Sequence, residues 1–342
     1  MTKTAAWLTL SVLLLAAAAG GAALAPAPGE AQAKPIVWNV PHTAAPTYYH
    51  IINLNALAAK VKEKSGGRLE IRIHPASSLY PQQEIIPALL EGRAELGPVT
   101  SGYLTDVLLE LGVLELPFMT SSVEEHRRAQ QAMKPYYTEQ LAKKGLRLVA
   151  TYAWPSQQVF SHQPMRTVAD WKGKKIRVYG ADTSNLARAF GAAPVNIPFG
   201  ETYTALEKKT VDGAITSATN AEPMKFFEVT KYINYWWLLG AGSEWLAVNQ
   251  KAWDGLPKDL QQALTDGIRE VRLEDKEWED AKAFEERALK RFPELGMTVV
   301  NPAPAEIETA RKLARAVWDT WLARTGADGK RGMELALKAL GR

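Results

Sequence analysis

Arg177 stands in the stretch KKIRVYG (residues 174–180), with Ile176 before it and Val178 after it. Successive side chains of a β-strand point to opposite faces, so a strand that buries Ile176 and Val178 turns Arg177 the other way. A guanidinium held there suits a carboxylate. Its planar fork makes two parallel charge-assisted hydrogen bonds, each worth roughly 1.5–3 kcal/mol. An ordinary solvated arginine on a half-exposed strand fits the same periodicity. Two other stretches carry hydroxyls at matched places. LEGRAELGPVTS (residues 90–101) and LEKKTVDGAITS (residues 206–217) align without a gap, and both end in Thr-Ser. If each is a helix running into a strand, Thr100-Ser101 and Thr216-Ser217 fall at strand C-terminal ends, the edge outside which open parallel sheets bind ligands. The common grammar of a helix followed by a buried strand also produces such a match.

The elements around these residues read as alternating strands and helices. KPIVWNV (34–40) is a short apolar strand. In residues 48–67 the positions Ile51, Leu54, Leu57, Ala58 and Val61 share one helical face, and Ser65-Gly66-Gly67 ends it. RLEIRIHP (68–75) alternates apolar and charged residues, a strand closed by Pro75. Strand, helix, strand is a βαβ unit with a parallel sheet. A second set starts after Pro155: a strand over 175–179, a short helix capped by Thr183 or Ser184, a strand at 193–199, a helix, and the strand ending at Ser217. Two apolar runs, 231–240 and 244–253, read as separate strands that cross back. Residues 258–291 read as one long charge-laced helix, with two more helices after Pro304.

Other chemistry is excluded on the residues. The chain has 342 residues, a net charge of +4 with acids and bases interleaved, and no cysteine. No basic stripe suits nucleic acid. Neither phosphate-loop nor dinucleotide glycine spacing occurs, nor a G-x-S-x-G elbow. His42, His50, His74, His126 and His162 do not pair at metal-ligand spacing. Acid pairs such as Glu124-Glu125 sit in charged helical runs and read as solvated faces. Nothing argues for an enzyme, a metal or a cofactor. Residues 1–33 combine Lys3, an apolar alanine-rich run and an A-x-A site at Ala31-Gln32-Ala33, the form of a cleavable secretory signal peptide. The expected location is the periplasm, with no stable membrane insertion after cleavage.

DWKGKKIRV (170–178) and NIPFGETYTALEKKTVDGA (196–214) closely resemble the solute-binding proteins of tripartite ATP-independent periplasmic (TRAP) transporters, the C4-dicarboxylate type. LPFM (116–119) and AVNQKAWDGLP (247–257) extend the resemblance over about the whole mature chain. It implies an α/β fold of two lobes, each a mostly parallel sheet flanked by helices, joined by crossing strands and a long helix. Lobe I is expected over 34–155, completed by roughly 243–275. Lobe II is expected over 156–242, completed by C-terminal helices to 342. The resemblance makes Arg177 the carboxylate ligand and Phe199 a pocket wall. It also implies delivery of a small organic carboxylate to membrane permease subunits; a sensing system using the same receptor is the alternative. Two positions depart from the family pattern. Thr216, with Ser217 beside it, replaces a carboxylate-binding asparagine, and Gln157 and Gln158 lie where a second arginine is common. A monocarboxylate therefore fits better than a dianion. Tyr48, Tyr152, Trp154, Tyr179 and Trp237 fall near expected strand ends or loops and suit an aromatic, branched, 2-oxo or hydroxy acid. Thr100 and Ser101 are expected to face Arg177 across the cleft.

Overall fold

The computed structural model describes residues 34–104 and 107–342; the signal peptide expected over 1–33 lies outside them. β1 (Ile36–Pro41), α1 (Tyr49–Lys64) and β2 (Leu69–His74) form the expected βαβ unit. β1 and β2 pair in parallel, Ile36 opposite Leu69. α1 buries Ile51, Leu54, Leu57 and Val61, the face its sequence spacing predicts. There follow α2 (Ile85–Glu91), β3 (Leu96–Thr100), α3 (Val123–Ala132) and α4 (Lys134–Lys143).

The main sheet is organised by two long strands. β4 (Leu146–Ser161) and β8 (Tyr232–Asn249) run antiparallel, from Leu146 opposite Asn249 to Ser161 opposite Tyr232. β8 is one continuous strand of 18 residues where the sequence suggests two, because its apolar character persists through Gly240 and Gly242. β5 (Lys175–Val178), β6 (Ala193–Asn196), β7 (Gly213–Ser217) and β9 (Thr298–Val300) complete the sheet. The order is β3-β8-β4-β7-β5-β6, with β9 on β8. The short outer pairs β5–β6, β5–β7 and β8–β9 are parallel, whereas β3 and β7 join the long pair antiparallel.

The long pair is not uniform. Its register shifts repeatedly between Trp154 and Val159, beside Pro155, which has no N–H for the ladder. β3 joins β8 on one side of this break, over residues 244–248, and β7 joins β4 on the other, over residues 157–161. Each half-sheet is buried on both faces. Trp245 and Ala247 enter one core while Leu246 and Val248 enter the opposite one. Beyond the break, Val159 and Phe160 divide between two further cores in the same way. This is period-two burial on both sides, which makes the strands read as continuous apolar runs.

The remaining helices are α5 (Ala181–Ala189), α6 (Thr202–Glu207), α7 (Ala218–Ala221), α8 (Phe226–Val229), α9 (Gln250–Asp254), α10 (Lys258–Glu270), α11 (Leu273–Glu294) and α12 (Pro304–Ala339). α5 is capped at Gly180 rather than at Thr183 or Ser184. Thr183 lies in the first turn, and its hydroxyl accepts from the Gly180 N–H at 3.1 Å. The helix expected over 258–291 is two, α10 and α11, parted at Arg272, whose φ is 53°. α12 spans both halves: Ala310, Ala314 and Val317 pack in one core, Trp321, Met333 and Ala336 in another. It bends at Gly326, where φ is 58° and ψ is −137°. Only glycine tolerates that region without strain, and a side chain there costs about 1–3 kcal/mol. Gly326→Ala is therefore expected to lower unfolding stability by about that amount in urea titration, with an unchanged m-value.

Candidate functional site

A cavity of about 550 Å³ opens where β3, β5 and β7 end. Its walls include Tyr48, Thr100, Ser101, Trp154, Gln157, Arg177, Tyr179, Phe199 and Thr216. These come from segments far apart in the chain, brought together because β8 and β4 stand between β3 and β7 in the sheet.

Arg177 is only 2% exposed, although it lines the cavity. Ile176 and Val178 on either side of it lie in the core. Its Nε donates to the Ile197 carbonyl and its Nη1 to the Ile215 carbonyl, both at 2.9 Å. The guanidinium lies 5.5 Å from the Tyr179 ring centroid and 5.8 Å from that of Phe199. Among the described residues, no carboxylate forms an ion pair with it. Burial pulls its pKa down, opposed by the nearby Tyr103 and Tyr179 hydroxyls, but an arginine remains charged. A buried charge without a counter-charge is costly, and an anion entering the cavity removes that cost.

The opposite wall is aromatic and rests on a different charge system. Tyr48 stacks on Trp154, with ring centroids 5.2 Å apart. The Trp154 indole N–H and the Thr100 hydroxyl each donate to Glu244 Oε2 at 2.6 Å, and His42 Nε2 lies 3.2 Å from Glu244 Oε1. Burial opposes ionisation of Glu244, but His42, His50 and Thr100 outweigh it and hold the pKa down at about 2. Behind it His50 pairs with Glu277 of α11. Burial disfavours the imidazolium of His50, yet the Glu277 charge and hydrogen bond raise its pKa overall. Thr100 thus spends its hydroxyl proton on Glu244 and shapes the wall.

Three expected residues stand elsewhere. Tyr152 is fully buried in the core with Trp38, Leu54 and Leu246. The Ser217 hydroxyl caps α7, accepting from the Asn220 N–H at 3.2 Å. Trp237 lies outside the cavity wall; its backbone N–H donates to Gln158 Oε1 at 3.0 Å and its ring neighbours Tyr235. The cavity also has walls that the sequence reading missed: Tyr103, Glu115 and Asn220 among them. Asn220 had a visible signal, since Ser217 three residues earlier makes an N-cap that places it in a first helical turn. Glu115 and Tyr103 had none, because both end short 3-10 turns whose placement depends on tertiary packing. Among the described residues no cluster of three or more His, Asp or Glu could hold a metal ion, and no helix is long and apolar enough to cross a membrane.

Residues 40–325 match the family model for bacterial extracellular solute-binding protein, family 7. The chain is 26% identical over 284 residues to the C4-dicarboxylate-binding periplasmic protein of Vibrio cholerae, covering 81% of this chain and 83% of that one. Its fold matches a Bordetella pertussis extracytoplasmic solute receptor binding pyroglutamic acid, with a TM-score of 0.82 and 26% identity over 89% of this chain and 100% of that one. It matches equally a TRAP periplasmic solute-binding protein of Desulfovibrio salexigens with bound orotic acid, with a TM-score of 0.82 and 25% identity over 90% of this chain and 99% of that one. Matched in fold to two-lobed receptors and by the family model over residues 40–325, the chain belongs to family 7 of the bacterial extracellular solute-binding proteins, the receptors of TRAP transporters that bind small carboxylates.

Proposed function

We propose that the protein is exported by a signal peptide over residues 1–33, captures one small organic monocarboxylate in this cavity, and delivers it to a TRAP membrane permease. Arg177 carries the reading: a buried guanidinium, oriented by two backbone carbonyls, on the wall of a cavity and without an acidic partner. Its remaining N–H groups meet a carboxylate with no reorganisation of the protein. Arg177 is the one basic side chain among the described residues lining the cavity, which favours a single carboxylate over a dianion. Tyr48, Trp154, Tyr179 and Phe199 give flat apolar surface for an aromatic, branched or ring-shaped body. The ring monocarboxylates pyroglutamate and orotate, bound by similar receptors, have that form.

Residues 34–155 with roughly 243–275 make lobe I and 156–242 make lobe II, while the C-terminal helix α12 packs against both rather than completing lobe II alone. The change of lobe falls at the register break beside Pro155 and, on β8, near Leu239–Ala241. The cavity lies between the lobes, and the Tyr48 hydroxyl bridges them through a 2.8 Å hydrogen bond to Thr219 Oγ1. Contacts made only when both lobes meet the ligand shift the population to the closed form, which the permease then receives.

Arg177→Lys keeps the charge but loses the fork. It is expected to weaken binding of the ligand that co-purifies with the protein by about 10- to 150-fold, the loss of one charge-assisted hydrogen bond. Isothermal titration after unfolding, ligand removal and refolding measures this; unchanged affinity would place the carboxylate elsewhere. Tyr48→Phe removes the bridge between lobes at a cost of about 0.5–1.5 kcal/mol. Stopped-flow fluorescence should show ligand release about 2- to 12-fold faster, with the association rate little altered.

A further inference from the structure

Glu115 ends a short 3-10 segment (Leu109–Glu115) and is buried on the wall of the cavity. Its Oε1 accepts from the Ser243 N–H at 2.6 Å. Among the described residues no basic side chain forms an ion pair with it. Ser101, whose hydroxyl acts on the Glu115 carboxyl to lower its pKa, is also on the cavity wall. Both groups border one small space. The point that a Cβ on Gly242 would occupy lies 3.6 Å from Glu115 Oε2 and 3.9 Å from Ser101 Oγ. That space is part of the main cavity, and a smaller one of about 70 Å³ shares Ser101, Gly102, Glu115 and Tyr179 with it.

We propose that Glu115 and Ser101 together form a hydrogen-bond donor for the uncharged end of the ligand, so that the site selects monocarboxylates carrying a carbonyl or hydroxyl oxygen away from the carboxylate. The inference rests on the reading of Arg177 as the carboxylate anchor. A protonated carboxyl and a hydroxyl hold two protons between them. With Glu115 Oε1 taken up by the Ser243 N–H, at least one of these protons is left to point into the cavity. An ionised carboxylate would instead draw the Ser101 proton toward itself and leave the cavity without a donor.

The surroundings keep the carboxyl neutral. Burial pushes the Glu115 pKa up to about 8, against the hydrogen bonds from Ser243 and Ser101. Asp182, at the start of α5, adds to the rise when charged, although burial raises its own pKa against the opposing charge of Arg324 on α12. Tyr179 after β5 and Tyr137 on α4 also feel Glu115, and burial raises both well above the ordinary tyrosine range, so neither ionises first. His126 of α3 stands behind Ser243, with its Nε2 2.9 Å from the serine hydroxyl. Burial lowers its pKa to about 3, so it is neutral as well.

Pyroglutamate and cyclopentanecarboxylate share a five-membered ring and a carboxylate, and only the first has the lactam oxygen. Calorimetric titration of the whole mature protein with both compounds tests the proposal. Pyroglutamate should bind at least tenfold more tightly at pH 7. The protonated form binds, so affinity is nearly full at pH 7 and falls about tenfold by pH 9 as Glu115 ionises. Glu115→Gln keeps an N–H donor that does not titrate; it should bind pyroglutamate a few-fold more weakly with a flat pH profile. Glu115→Leu should lose the preference between the two compounds. The proposal is overturned if Glu115→Gln keeps the wild-type pH slope, if Glu115→Leu still discriminates, or if wild-type protein binds neither compound. Arg177→Lys separates this from the parent reading. It should weaken both compounds alike, and intact binding there removes the carboxylate anchor whatever Glu115 does.

Discussion

β4 and β8, of 16 and 18 residues, pair with each other from end to end, with one register shift between Leu148 and Ala150 and a cluster of them beside Pro155. The short strands attach on one side of that cluster or the other. A continuous antiparallel pair cannot slide without turning its buried side chains to the wrong face. With Trp245 and Leu246 committed to opposite cores, the register of β8 is fixed, and with it the position of β3 relative to β7. The distance between Thr100 and Arg177 is therefore set by the sheet, while the break beside Pro155 supplies local irregularity where two lobes would need to move. α12 ties the far sides together by packing in cores on both halves.

Two charge systems meet at the cavity and are balanced differently. Glu244 has His42, Thr100 and Trp154 around it, so its charge is satisfied inside the protein, and it stiffens the aromatic wall. Arg177 has only carbonyl oxygens. Backbone carbonyls orient a guanidinium and take part of its hydrogen bonding, but they do not cancel its charge. The contrast supports the proposal that Arg177 faces a ligand while Glu244 is scaffold. Thr100 shows the difference at the scale of one residue, since it lines the cavity while its proton belongs to the scaffold.

How far the site was legible follows from strand geometry. Arg177 could be placed because alternation with Ile176 and Val178 needs only local sequence. The paired Thr-Ser endings could not be read alike. Inside β7, Thr216 and Ser217 are neighbours that point to opposite faces, so Thr216 lines the cavity and Ser217 turns to cap α7. After β3 the chain leaves the strand at Ser101 and enters a 3-10 turn, so both members of that pair reach the wall. Tyr152 and Trp154 share a face of β4, yet Tyr152 lies one step deeper and belongs to the core. The helix break at Arg272 was hidden too, because arginine gives no sign of a left-handed conformation that tertiary contacts impose.

The substitution of threonine at 216 for an expected asparagine has a structural sequel. An amide remains on the same wall at Asn220, in the first turn of α7, held there by the Ser217 cap. The donor is thereby moved from the strand to the helix that follows it, and α7 also carries Thr219, the partner of Tyr48. Polar groups that would hold a carboxylate and the group that joins the two sides of the cavity then sit on one four-residue helix, at positions 219 and 220. On the proposed reading, recognition and closure share one small element, and a change of solute preference at β7 would alter the closing contact with it.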